Sequence, residues 1–137
     1  MKAVEYFMQG YSCSESIVKE AIDKNLVPKE LLSCATSFSG GMGSGCLCGA
    51  IAGSQMVLGY LYGRDNKSGN EVLARQKAKQ FIEEFKKTHK ATCCRVLTAG
   101  FDMASKDRKE HCQNMVNTCS DILYKLIEKK ELERVSK

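Results

Sequence analysis

Apolar side chains recur at helical spacing along most of this chain, and the segments between them carry cap and turn residues. Ser12-Cys13-Ser14-Glu15 has the form of a capping box, in which serine and glutamate cap each other's backbone. A helix is predicted from there, with Ile17, Val18, Ala21 and Ile22 as its apolar stripe, and Gly10 closes a short helix before it. Pro28 suits a first helical turn, which predicts a helix from Pro28 to about Ser37 with Leu31, Leu32, Ala35 and Phe38 inward. The glycine loop Gly40-Gly41-Met42-Gly43-Ser44-Gly45 then leads into a small-residue central helix, Cys46 to Tyr62. Gly49 and Gly53 lie four apart on one face of it, a spacing that lets another backbone or a bulky prosthetic group come close. A surface helix follows from Asn70 to about His89, its apolar side formed by Ala74, Ala78, Phe81, Ile82 and Phe85. Thr92 to Leu97 reads as a short helical turn before Gly100. A last helix, from about Glu110 to Leu132, carries Met115, Val116, Cys119, Ile122, Leu123, Leu126 and Ile127 on one stripe. No repeat or linker divides these elements, so the expectation is all-α: one domain over residues 1–137, a compact bundle of about five helices.

Composition supports that picture and narrows the compartment. With 43% hydrophobic and 27% charged residues the chain is an ordinary globular sequence, and 137 residues bury roughly two-thirds of their unfolded surface, so no disulfide scaffold is needed. One proline, no tryptophan and few β-branched runs argue against a many-stranded sandwich. Glu5 stands where a secretory apolar region would begin, which points to no signal peptide and a cytoplasmic location. The apolar run Cys46–Gly63 approaches the length of a membrane span, but six of its residues are glycine or alanine and no basic flank precedes it, so a buried helix is expected instead. The net charge of +5 divides into −1 over residues 1–63 and +6 over residues 64–137. Those lysines alternate with glutamates as on a solvated helix face, and no nucleic-acid recognition motif accompanies them, so no nucleic-acid partner is expected.

Eight cysteines are the outlying feature. In a reducing compartment they point to metal binding or thiol chemistry rather than to disulfide staples. No C-x-x-C, C-x-x-C-H or paired zinc-ribbon spacing is present, so any joint site has to be assembled by the fold. The glycine loop also fails as a phosphate loop: Cys46-Leu47 stands where Lys-Ser or Lys-Thr is required, and Cys48 where a dinucleotide fingerprint needs glycine. Cys13, and Cys46 with Cys48, fall at predicted helix starts, where the macrodipole favours thiolate. Cys94 lies beside Arg95 in the short turn, and Cys112 beside His111 at the opening of the last helix. Gly43 and Gly45 are candidate amide contacts for an anion or a cluster. Cys46 and Cys93 are secondary candidates as alternative ligands or resolving thiols. Cys119, seven residues and about 10 Å beyond Cys112 on one helix, is expected in the core, as is Cys34. His89 and His111 are expected to face solvent, and no carboxylate pair or serine nucleophile motif stands out.

Gly10-Tyr11-Ser12-Cys13, the glycine loop leading to Cys48-Gly49-Ala50-Ile51-Ala52-Gly53, then Cys94-Arg95 and Cys112 together resemble the putative redox-active proteins known by the pattern C_GCAxxG_C_C. The label writes Gly-Cys-Ala where this chain reads Cys-Gly-Ala, while the flanking glycines and Val57-Leu58-Gly59 also fit. A similar cysteine domain occurs in split-Soret cytochromes, whose haem motif is missing here. The resemblance implies that Cys13, Cys48, Cys94 and Cys112 act jointly as redox or cluster-binding residues.

Three functions follow as expectations. The first is a redox protein whose four cysteines hold an iron–sulfur cluster and pass electrons to a partner protein. The second is thiol–disulfide exchange by a low-pKa Cys13 or Cys48. The third is a binding module stabilised by Zn²⁺. Apolar stripes on the Asn70–His89 helix and on the last helix leave room for a homodimer.

Overall fold

Helix α1 (Ala3–Met8) turns out of its last turn through Gly10, at φ +112°, and the Tyr11 N–H reaches back to the Tyr6 carbonyl at 3.2 Å. The capping box then starts α2 (Cys13–Asp23). In the computed structural model, which describes residues 1–100 and 106–135 and side chains as far as Glu133, the Glu15 N–H donates to the Ser12 hydroxyl at 3.3 Å. The Ser12 N–H returns the bond to the Glu15 carboxylate at 2.9 Å and, more than any other contact, holds that carboxyl below its usual range. Helices α3 (Leu31–Thr36), α4 (Gly49–Tyr62), α5 (Val72–His89), α6 (Cys94–Leu97), α7 (Lys106–Leu126) and α8 (Lys129–Val135) follow. The protein is all-α: among the described residues there are eight helices where about five were expected, five of them of seven or more residues. Among the described residues there is no strand, only an isolated antiparallel bridge between Leu47 and Cys93.

Three boundaries differ from the sequence expectation. Helix α3 starts at Leu31 because Pro28-Lys29-Glu30 form a tight turn, with the Leu31 and Leu32 N–H groups donating to the Pro28 and Lys29 carbonyls. Helix α4 starts at Gly49, not Cys46, because the bridge holds residues 46–48 extended: the Cys48 N–H donates to the Thr92 carbonyl at 2.8 Å, and the Cys94 N–H to the Cys46 carbonyl. The last predicted helix begins earlier, at Lys106, and divides after Leu126, where the Tyr62 hydroxyl accepts the Glu128 N–H at 2.7 Å.

The core lies where α2, α4, α5 and α7 meet. Ile17 and Val18 of α2, Ile51 and Val57 of α4, Phe81 and Phe85 of α5, and Val116 and Leu123 of α7 are all fully buried. Two glycines allow α2 and α4 to come this close. A Cβ at Gly53 would stand 2.7 Å from the Ser14 carbonyl oxygen, and one at Gly49 would stand 2.5 Å from the Cys13 sulfur. The α7 stripe is covered within the chain, whereas Val72 and Leu73 at the start of α5 are exposed. Among the described residues no helix is long and apolar enough to cross a membrane.

Candidate functional site

Four separate elements deliver one cysteine each to a single cavity of about 230 Å³. Cys13 comes from the first residue of α2, Cys48 from the N-cap of α4, Cys94 from the first residue of α6, and Cys112 from α7. Phe7, Met115, Ser12, Gly40, Gly49 and Arg108 complete the wall. The cavity is small beside the roughly 300–1,000 Å³ of pockets for organic ligands, which suits a compact group. All eight cysteines are free thiols.

The glycine loop builds one side of this cavity. Gly40, Gly41, Met42 and Gly43 all lie in the left-handed region, at φ +61° to +68°, and the Cys46 N–H closes the turn on the Gly41 carbonyl at 2.9 Å. That turn carries the chain back along the 46–48 segment, which pairs with residues 92–94. Cys48 and Cys94 thereby arrive side by side from distant parts of the sequence.

Burial dominates the electrostatics. It raises the Cys13 thiol, pushes Cys48 up to about 12, and raises Cys112. The sulfurs also act on one another: charge on Cys94 raises Cys13, charge on Cys13 and Cys94 raises Cys48, and both raise Cys112. Opposing this, backbone N–H groups of Ser14 and Gly40 favour the Cys13 thiolate, those of Ile51 and Ala50 favour the Cys48 thiolate, and Arg108 lowers Cys112. The expectation of depressed pKa values at helix starts is therefore corrected for Cys13 and Cys48, because desolvation outweighs the helix-end amides. Cys112 does not open its helix either: α7 starts six residues before it, at Lys106.

The remaining candidates lie elsewhere. Cys93 turns away and donates to the Gly45 carbonyl at 2.9 Å, and Cys46 is exposed. Gly43 and Gly45 line an adjoining cavity rather than the cysteine cavity, while Gly40 lines both. Cys34, expected in the core, is exposed, because α3 turns Ala35 inward instead. Cys119 is fully buried, as expected. His89 and His111 do not face open solvent: both are half-buried, with ring centroids 6.3 Å apart, and His89 lies against Phe85 at 4.8 Å and beside the Thr118 hydroxyl at 3.3 Å. Burial, then His111, lowers the His89 pKa. The structure adds Arg108 and Gly40 to the cavity wall. The sequence points to Gly40 only as part of the glycine loop and gives no signal for Arg108, an arginine among lysines on a helix.

A sequence model of the family described as "Putative redox-active protein (C_GCAxxG_C_C)" matches residues 11–126. The chain belongs to this family. The matched span of the C_GCAxxG_C_C protein takes in all four cavity cysteines, the glycine loop and all of α7. No curated protein and no solved structure matches the chain.

Proposed function

We propose that this member of a redox-active family binds an iron–sulfur cluster through Cys13, Cys48, Cys94 and Cys112 and exchanges electrons with a partner protein. The observation that carries the reading is the convergence of four cysteines, one from each of four elements, on one small, half-closed cavity. Four sulfur donors suit such a cluster, and hydrogen bonds to the sulfurs are a principal lever on its potential. The N–H groups of Ser14, Gly40, Ala50 and Ile51 are the donors available for that here. A bound cationic centre also answers the electrostatics, since coordination deprotonates thiols outright that burial and mutual repulsion otherwise keep neutral. The cluster, when bound, supplies one-electron exchange. The chain's own part is to hold the sulfurs, aim amides at two of them, and shield them with Phe7 and Met115.

The two alternatives fare less well. Thiol–disulfide exchange needs an attacking thiolate at working pH, and burial moves Cys13, Cys48 and Cys112 the other way. A single Zn²⁺ needs its ligands all about 2.3 Å from one point, whereas a cluster's ligand sulfurs stand wider apart; among the described residues no three Cys, His, Asp or Glu side chains are gathered closely enough for a lone metal ion, so zinc asks the larger rearrangement of the four cysteines. Protein purified without oxygen is expected to contain iron and acid-labile sulfide with a broad visible band, and Cys48→Ala is expected to lose all three. A colourless, iron-free protein after reconstitution overturns the proposal, and zinc in the same assay would favour the binding module.

A further inference from the structure

Beside the cysteine cavity lies a second one of about 390 Å³, and the two share Gly40, Cys94 and Arg108. Arg95 and Arg108 bring two guanidinium groups to its wall, while the Ser44 and Thr98 hydroxyls there already donate to the Met42 and Cys94 carbonyls. Among the described residues no carboxylate lines it. Arg95 is exposed, and the bond from its Nη2 to the Ser44 carbonyl, at 2.9 Å, fixes the guanidinium over the glycine loop. The guanidinium fork has five N–H donors, so that one anchor leaves donors for a second acceptor.

We propose that this second cavity is a binding site for the oxyanion group, carboxylate or phosphate, of a small anionic substrate, placed within reach of Cys94. Guanidinium groups match both anions in shape and charge, and two of them on one wall favour an oxyanion over a neutral ligand. The shared wall gives the site its meaning. Whatever Arg95 holds lies against Cys94, so binding and redox chemistry meet at one residue. The inference does not need the cluster, because the second cavity's own residues carry it.

The test is calorimetric titration of inorganic phosphate, and separately of acetate, into the anaerobically purified protein in low-salt buffer. Saturable 1:1 binding is expected for at least one probe, weakening as salt rises. Arg95→Gln should bind at least tenfold more weakly, Arg95→Lys should fall between because it keeps the charge and loses the fork, and Lys79→Gln on the outer face of α5 should match the parent. Arg95 is exposed, so unchanged helical circular dichroism in the variants separates lost binding from lost fold. Preference for phosphate or for acetate tells which oxyanion the substrate carries. Absence of saturable binding by both probes, or parental binding in Arg95→Gln, overturns the inference. An iron-free protein that still binds phosphate overturns the cluster and leaves this site standing; an iron-loaded protein indifferent to both probes does the reverse.

Discussion

Glu20 and Cys13 sit two turns apart on α2, both largely shielded from water, and their surroundings treat them in opposite ways. Around Glu20 every oxygen is answered: one accepts the Ala3 N–H at 3.1 Å and the other the Ser120 hydroxyl at 2.7 Å. The carboxylate thereby ties α1 and α7 to α2, and the Tyr6 hydroxyl donates to Asp23 one turn further on. Around Cys13 the groups oppose one another. Four thiols share a cavity, charge on Cys13 or Cys94 would raise its neighbours, and burial holds the proton on Cys13, Cys48 and Cys112. A satisfied polar cluster fixes a fold, whereas four thiols that share the one guanidinium of Arg108 among the described lining residues would carry more charge, once ionised, than it balances. One end of α2 is built for stability and the other for chemistry.

The largest break in that contrast should come from Glu20→Ala. It leaves the Ala3 N–H and the Ser120 hydroxyl without their acceptor in a buried place, at a cost of about 3 kcal/mol. Urea unfolding followed by circular dichroism measures it, and a loss below about 1 kcal/mol would mean that water takes over both bonds. Iron and sulfide content should not change, since the damage is at the other end of the helix.

A second pair of variants tests the boundary between the two ends. Gly53→Ala drives a Cβ to 2.7 Å from the Ser14 backbone oxygen, so the two helices must part. Overpacking of about 1–3 kcal/mol, less about 1 kcal/mol regained from helix propensity, predicts a net loss of roughly 0–2 kcal/mol. Gly49→Ala meets the Cys13 sulfur at 2.5 Å, where a side chain can turn, and the Phe38 carbonyl oxygen only at 3.1 Å, where a shift of a few tenths of an ångström suffices. Its stability should change by less than about 1 kcal/mol while iron binding falls sharply. Equal effects of the two variants on stability and on metal content would dissolve the distinction.

Sequence carried the parts of this arrangement that local chemistry dictates. The Ser12–Glu15 capping box, the periodicity of α5 and the burial of Cys119 need only neighbouring residues, and each appears where expected. Missed were the features made by distant partners. Nothing near Leu126 marks the end of α7, because the group that captures the next helix's backbone is the hydroxyl of Tyr62. Residues 46–48 read as helix until Thr92 and Cys93 pair with them, and that pairing decides which of the adjacent cysteines faces the cavity. Cys94 and Cys48 line it; Cys93 is held by Gly45 and Cys46 is exposed. Spacing along the chain could nominate these pairs and could not choose within them.

The smallest expected effect tests the exception at the satisfied end. The Tyr124 hydroxyl is buried near Glu20 and Asp23 and finds no hydrogen-bond partner among the described residues, while the Lys24 ammonium sits 4.4 Å from its ring centre. Burial first, and then those two carboxylates, raises its pKa above the ordinary value near 10. The folded protein therefore keeps the phenolic proton at a pH where the unfolded chain releases it. That preference stabilises fully below pH 10 and is lost as pH rises above it, at up to about 1.4 kcal/mol per pH unit. Tyr124→Phe removes both the desolvated hydroxyl and the titration, and keeps the face that Lys24 covers. At neutral pH the variant should match the parent or exceed it by up to about 1 kcal/mol, and its advantage should widen above pH 10. Chemical denaturation of both proteins on either side of that pH measures the gap. Parallel curves would mean that the hydroxyl is solvated after all, and that the Glu20 end of α2 has no unanswered polar group.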